Sequence, residues 1–327
     1  MKHFFIALLA LSVLCSCKQE QRNVSLSGPV FGTSYHVKYF SETNRNYQQQ
    51  FDSLFAVINA SMSTYTPDSR ISKINANVSD TVDTHFIHVF DASKTIYTET
   101  DGAFDPTIGV LVNAWDFGPE KEIIGLDSLK VDSLLLSVGL DKVQRKANTI
   151  VKSDANTFLD FNAIAKGYGV DVIAEFLESE SIQDFMVEIG GEIRARGINV
   201  EKNAAWKVGV EMPHFDGSQS ILKAIPLQNK SMATSGTYRK FKLDAAGNRY
   251  SHIIDAETGY PSKTNLLSIS VIAESCMFAD AYATAFKAMG IARVEAFLKS
   301  HPELQVFLIF ENDNQELETM SLNGFPE

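Results

Sequence analysis

The stretch Asp160-Phe161-Asn162-Ala163-Ile164-Ala165-Lys166-Gly167-Tyr168-Gly169 decides how this chain is read. It sets an acid, an amide and a lysine directly before Val172, Ile173, Phe176 and Leu177, whose spacing makes one apolar face and predicts a helix over Gly169 to Glu178. Backbone amides at that helix start, with Lys166 beside them, suit a phosphate or an oxygen-rich polar ring. A solvated Lys166 is the plainer alternative.

Upstream, Val30 to Phe40 alternates as a strand in Tyr35, Val37 and Tyr39, interrupted by Gly32. Phe51, Leu54, Phe55 and Ile58 recur at helical spacing, and further helices are predicted over Thr84 to Thr100 and Val131 to Val138. Downstream, strands are predicted at Phe185 to Ile189, Lys207 to Val210, Leu266 to Ala273 and Gln305 to Phe310. A last helix, Ala279 to Met289, stops at Gly290. The class is α+β, with short connections that favour antiparallel pairing in parts. No internal repeat or low-complexity linker marks a domain boundary.

The amino terminus has a different character. Lys2 precedes an apolar run, Phe4 to Leu14, of signal-peptide length and too short to span a bilayer. It ends in Leu14-Cys15-Ser16-Cys17, the shape of a lipoprotein processing site, with small Ser16 before Cys17 and Leu14 too large to serve Cys15 in that role. Residues 1–16 are therefore expected to be a signal peptide, Cys17 to be lipidated, and polar Lys18 to Ser27 to be a tether ahead of a domain over 28–327. The protein is expected outside the cytoplasm, lipid-anchored on the periplasmic side of a bacterial membrane. With 327 residues, 45% hydrophobic and 21% charged, the remainder has ample material for a core. Only Cys276 is left once Cys15 and Cys17 are assigned, so no intramolecular disulfide forms. A net charge of −11 argues against nucleic acid and leaves lipid, not a basic patch, as the membrane contact.

Five more clusters place small, polar and acidic residues where a core-building stretch would be apolar. Phe31-Gly32-Thr33-Ser34-Tyr35 lets backbone approach a ligand and offers an aromatic face, and reads equally as a bulged strand. Met62 to Ser69, with Tyr65, is a turn-rich stretch or a helix-capping loop. Asp101-Gly102-Ala103-Phe104-Asp105-Pro106-Thr107 sets two carboxylates and an aromatic ring around a turn. Thr234 to Tyr238 is joined by Ser251-His252-Ile253-Ile254-Asp255, where His252 is a candidate base and Asp255 its orienting carboxylate. Asp280 and Thr284 lie four apart on the last helix, so their oxygens share a face. Carboxylate, hydroxyl and a backbone carbonyl are what Mg2+ accepts, usually with phosphate oxygens. Asp280 also reads as a residue answering a helix dipole. The histidines show no zinc-type ligand pattern.

Together and in order, Gly102 to Thr107, Ala163 to Gly167, His252 to Asp255 with Thr258-Gly259-Tyr260-Pro261, and Ala279 to Ala285 resemble the FAD:protein FMN transferases, the ApbE family, from about Gly28 to Phe310. The resemblance implies a two-part α and β architecture with FAD in the crevice between the parts. It implies that Phe31, Tyr65, Ala103, Phe104, Asp105, Asp160, Lys166 and Ile254 line the FAD site. It puts Mg2+ on Asp280 and Thr284 with backbone oxygens of Ala163 and Ala283. The implied reaction is attack of a Thr or Ser hydroxyl of an exported or membrane-bound acceptor on the FMN phosphorus of FAD, releasing AMP, with His252 as base and Asp255 orienting it or helping to hold metal.

Two departures qualify the resemblance. Thr237 stands where the family commonly has Asp, which removes a carboxylate near the crevice, and Ala256 stands where it has Pro. Thr237 keeps open an FAD pyrophosphatase that gives FMN to water, and an exported flavin-binding lipoprotein without turnover is the rival from another class.

Overall fold

The computed structural model describes residues 22–327 except 121, 122, 244–246 and 248. Strands β1 (Arg22–Val30) and β2 (Thr33–Ser41) pair antiparallel across a two-residue turn, in which Phe31 and Gly32 have φ of 47° and 75°. Positive φ at both central positions gives the mirror-image turn whose twist matches a hairpin. The expected strand Val30 to Phe40 is thus one arm of a hairpin, turning at Phe31-Gly32 instead of bulging there. Residues 22–27, expected as tether, are the other arm. Cys17 and the predicted signal peptide lie outside the described residues.

The helices α1 (Gln48–Met62), α2 (Arg70–Asn75), α3 (Thr84–Glu99), α4 (Gly109–Ala114) and α5 (Ser128–Leu135) follow. Three begin on side-chain caps: Ser69, Asp83 and Asp127 accept from the amides of Ser72, Phe86 and Lys130. The Asp127 cap explains why α5 begins before its expected start at Val131. A short hairpin, β3 (Val143–Lys146) and β4 (Thr149–Lys152), leads to α6 (Ala165–Ser179). That helix starts a turn earlier than its apolar spacing suggested, so Lys166 sits in its first turn.

The rest of the chain is strand-rich: β5 (Phe185–Ile189), β6 (Glu192–Arg196), β7 (Trp206–Glu211), β8 (Ile221–Leu227), β9 (Lys230–Gly236), β10 (Phe241–Leu243), β11 (Arg249–Ser251) and β12 (Leu266–Ala273). Helices α7 (Cys276–Met289) and α8 (Ile291–Leu298) precede β13 (Gln305–Glu311) and β14 (Leu317–Leu322). Eight strands form one sheet in the order β1-β2-β5-β6-β9-β12-β13-β14, with β3-β4, β7-β8 and β10-β11 as separate pairs, and the named strands pair antiparallel throughout. This is the α+β class expected.

Strand β13 shows how the sheet is covered. Val306 and Leu308 point into a core shared with α3, α7 and α8, while Phe307 and Ile309 join a second core roofed by Trp206, Val208, Ile225 and Leu227 of the β7-β8 hairpin. A strand buried on both faces reads as a continuous apolar run, which is why Gln305 to Phe310 was visible in the sequence. Strand β12 is buried along its whole length. A third core packs α1 and α6 onto β1, β2 and β5, and a small fourth one joins α4 and α5 to Ile254.

Candidate functional site

Helices α6 and α7 cross at very close range, and each caps the other with a carboxylate. Asp280 of α7 accepts the Gly167 amide in the first turn of α6 at 2.9 Å. Asp171 of α6 accepts the amides of Cys276 and Met277 at 3.1 and 2.8 Å and the Ser275 hydroxyl at 2.7 Å, at the start of α7. A carboxylate at a helix N-terminus satisfies orphan amides and suits the dipole. Gly167 permits the crossing, because a Cβ there would lie 2.3 Å from the Cys276 carbonyl oxygen and 2.8 Å from Asp280 Cβ. The two readings of Asp280 therefore merge: it answers a helix dipole, but that of α6, and it does so at the edge of a cavity.

The cavity has a volume of 1120 Å3. Ligand pockets commonly span about 300–1,000 Å3, so this one has room for a dinucleotide-sized molecule. Its lining includes Phe31, Tyr65, Ala103, Phe104, Asp105, Asp160, Lys166 and Ile254, and also Ala163, Asp280, Thr284 and His252. Residues far apart in sequence thus converge on one cavity. Asp255 and Ala283 are not in the lining, and neither is Thr237.

At the α6–α7 edge, Lys166 Nζ lies 2.8 Å from Glu192 Oε1 and 3.5 Å from Asp280 Oδ1. Burial by itself favours the neutral amine, but the carboxylates of Asp280 and Glu192 override it and hold the ammonium pKa above its ordinary value. Glu192 is 3% exposed, and its Oε2 is buried with no hydrogen-bond partner among the described residues. Burial raises its carboxyl pKa above the ordinary value, against the pull of Lys166. An orphaned buried acceptor costs about 1–3 kcal/mol, so this oxygen is a ready point of contact for a ligand. Sequence reasoning missed Glu192 and Asp171. The available signals were the Gly190-Gly191 pair before Glu192 and an acid inside the apolar run Val170 to Ile173.

Across the cavity, two more carboxylates are held by their own turns. Asp105 Oδ1 accepts from the Thr107 amide at 2.8 Å and hydroxyl at 2.6 Å, and Asp160 accepts from the Asn162 amide at 2.7 Å. Burial raises the pKa of both. The loops are tied together: Asp160 N donates to the Pro106 carbonyl at 2.7 Å, and Asn75 brackets Leu159 with two 2.8 Å bonds to its backbone. Phe31 packs edge-on against Phe55, with ring centroids 5.6 Å apart, and a Cβ on Gly169 would come within 2.7 Å of its ring. Both glycines in Lys166-Gly167-Tyr168-Gly169 thus serve close packing inside α6 instead of presenting bare amides to a phosphate. Tyr65, 57% exposed, stands at the rim.

His252 reaches the cavity from the segment after β11. Its Nδ1 lies 3.0 Å from the Lys240 carbonyl oxygen, which can only accept, so Nδ1 carries the proton and Nε2 keeps a free lone pair. Burial lowers its pKa to about 4, so the ring is neutral at pH 7. Asp255 does not orient it. The Asp255 carboxylate accepts the amides of Glu257 and Thr258 at 2.9 and 3.0 Å, closing its own turn, and the Lys240 carbonyl takes the orienting place. Thr237 bonds back to the Leu267 carbonyl, donating its amide at 3.1 Å, and sits between Gly236 and Tyr238, which both line the cavity.

Among the described residues no three His, Cys, Asp or Glu side chains converge as metal ligands. A cation here would rest on one carboxylate with hydroxyl and carbonyl oxygens. Asp280, Thr284 and Ala163 all face the cavity and offer only oxygen, a donor set that fits a hard ion completed by water and phosphate. Ala283 is 1% exposed within α7.

The ApbE family model matches residues 31–308. The chain belongs to the ApbE family. A protein of Vibrio cholerae named FAD:protein FMN transferase is 35% identical over 323 residues, covering 96% of this chain and 95% of that one. One of the same name from Haemophilus influenzae is also 35% identical, with 96% and 95% covered. Among solved structures, the flavin transferase ApbE from Vibrio cholerae superposes with a TM-score of 0.83 at 34% identity, covering 92% of this chain and 97% of that one. The Pseudomonas stutzeri flavinyl transferase ApbE, in its apo form, reaches 0.82 at 27% identity over 92% and 95%. The architecture is that of the ApbE flavin transferases.

Proposed function

We propose that this protein transfers FMN from FAD to a hydroxyl of a target protein and releases AMP. The observation that carries this is the convergence of all eight residues expected to line a flavin site on one cavity that also takes in Asp280, Thr284 and His252. Phe31, Phe104 and Tyr65 supply aromatic faces for a flavin or adenine ring. Lys166, anchored by Glu192, is a fixed cation for the pyrophosphate. Asp105 and Asp160, with pKa values raised by burial, suit polar ring or ribityl hydrogen bonds more than metal.

The acceptor is a Thr or Ser side chain. Its oxygen forms a bond to the FMN phosphorus as the bond from that phosphorus to the AMP oxygen breaks, and its proton passes to His252 Nε2. The Lys240 carbonyl holds the ring in the tautomer that can take it. Magnesium would be held by Asp280, Thr284 and the Ala163 carbonyl, all of which face the cavity, whereas Ala283 does not; when bound it would neutralise pyrophosphate charge and stabilise the leaving group.

Export and acylation at Cys17 belong to the same proposal, supported by Lys2, the apolar run to Leu14 and the Leu14-Cys15-Ser16-Cys17 site. Arg22, the first described residue, is already in β1 and stands five residues after Cys17, a distance the chain spans over at most about 18 Å. That suits acceptors which are themselves held at the membrane, because confinement raises their effective concentration. No described helix is long and apolar enough to cross a membrane.

The test mixes purified protein with FAD, Mg2+ and an exported flavoprotein acceptor, then follows AMP release and covalent flavin fluorescence on the denatured acceptor. AMP together with a fluorescent acceptor is expected. AMP without a labelled acceptor would mean a pyrophosphatase or an acceptor of the wrong kind, and bound flavin with no AMP would make the protein a carrier.

A further inference from the structure

The chemistry at the α6–α7 crossing depends on which carboxylate keeps Lys166. Asp280 Oδ2 is taken by the Gly167 amide at 2.9 Å, so Oδ1 is the oxygen left to bind anything else. Oδ1 is also the oxygen that faces Lys166 Nζ, at 3.5 Å, while the ammonium sits on Glu192 at 2.8 Å. An ammonium in full contact with Oδ1 would compete with any cation there, since both are drawn to the same lone pairs.

Glu192 offers Lys166 a second, nearer carboxylate. It opens β6 directly after the Gly190-Gly191 turn, where φ is 63° and 108°, and it pairs in register with Ile189 of β5. A Cβ on Gly190 would come within 2.8 Å of Thr33 Cγ2, so the β5–β6 turn is seated tightly on the β1–β2 hairpin. The Gly191 amide donates to Glu188 Oε1 at 2.6 Å. Glu192 therefore holds its carboxylate from a tightly seated sheet corner, buried, with one oxygen on Lys166 and the other without a hydrogen-bond partner among the described residues.

We propose that Glu192 is a positioning residue that draws the Lys166 ammonium away from Asp280 and so keeps Asp280 Oδ1 open to a divalent cation. This rests on the cation reading of Asp280 and Thr284 given above. Glu192→Gln removes the charge with little change of shape, and Lys166 then closes onto Asp280. Glu192→Asp keeps the charge but is one methylene too short to hold Lys166 at the same place.

The experiment is a Mn2+ titration of purified protein, followed by the electron paramagnetic resonance signal of free Mn2+, without acceptor and with or without FAD. Mn2+ is the probe because it shares the oxygen-ligand preference of Mg2+. Glu192→Gln and Glu192→Asp are each expected to weaken Mn2+ binding about tenfold or more, and Lys166→Met combined with Glu192→Gln to restore it to within about threefold of the parent. Binding within about twofold of the parent in Glu192→Gln overturns the proposal. So does parent-like binding in Glu192→Asp, since net charge would then suffice, or a double variant as weak as the single one. If Glu192→Gln fails to fold, Glu192→Asp and Lys166→Met decide, the latter expected to bind Mn2+ at least as tightly as the parent. A parent that binds no Mn2+ even with FAD, and is indifferent to Asp280→Asn, removes the cation reading itself. Parent binding that needs Asp280 but ignores Glu192 removes only the role of Glu192.

Discussion

The two acids expected to act near the reacting atoms, Asp280 and Asp255, ended in opposite situations. Asp280 projects from a buried helix onto a second helix, accepts the Gly167 amide, and sits 3.5 Å from Lys166 at the cavity edge. Asp255 lies on a surface turn, accepts the amides of Glu257 and Thr258, and is not among the cavity-lining residues. Both stood in motifs beside a plausible partner, His252 for one and Thr284 for the other. The difference lies in what each backbone allows. A helix interior has no free amides of its own, so its acid must look outward, whereas an acid at a turn finds amides two and three residues on.

The comparison can be broken most sharply at Asp280. Asp280→Ala strips the α6 amide of its acceptor and leaves Lys166 and Glu192 without their third member. Breaking a buried ion pair costs about 3–5 kcal/mol, and partial exposure of Lys166 puts the expectation near the lower end, about 3 kcal/mol, by denaturant unfolding. Transfer should fall about a thousandfold, because losing about 4 kcal/mol of transition-state charge stabilisation does that. An Asp280→Ala protein with near-parent turnover would end the metal reading.

His252→Ala comes next and should separate chemistry from stability. The transfer rate is expected to drop about a hundredfold or more, as loss of a general base does, with FAD binding retained. A rate within about twofold of the parent would withdraw the base role. Acidification probes the same residue. The folded pKa of about 4 lies below the ordinary 6.5, so the unfolded chain binds the extra proton first. Its contribution to stability is full above about pH 6.5 and is lost as the pH falls toward 4, so thermal unfolding temperatures of parent and His252→Gln should converge across that window.

Asp255→Asn should do least. Asn keeps the oxygen that accepts from Glu257 and Thr258, so transfer is expected to stay within about twofold of the parent and stability within about 0.5 kcal/mol. A large loss of rate there would return Asp255 to the reaction and erase the contrast with Asp280.

What was readable in advance followed from local constraint. Strands β5 and β12 were predicted at their observed bounds because β-branched and aromatic runs declare themselves. The α7 stripe placed Asp280 and Thr284 on one face, since spacing of four on a helix is enough to decide that. The family motifs named residues that do line one cavity, from Phe31 at a hairpin tip to Ile254 near the last third of the chain.

The remainder depended on partners distant in sequence. Nothing local to Gly167 says that a Cβ there would strike the Cys276 carbonyl, more than a hundred residues away. Glu192 looks like an ordinary acid at a strand start until the sheet carries it to Lys166. Spacing offered His252 the side chain of Asp255, and the fold gave it the carbonyl of Lys240 instead. The sequence by itself determined the α+β class, the family and most of the residues that meet at the cavity, because motif spacing and period survive in one dimension. Only the tertiary structure decided which charges face one another, because hydrogen bonding and burial act through space and depend on where the sheet order and the helix crossing bring each side chain.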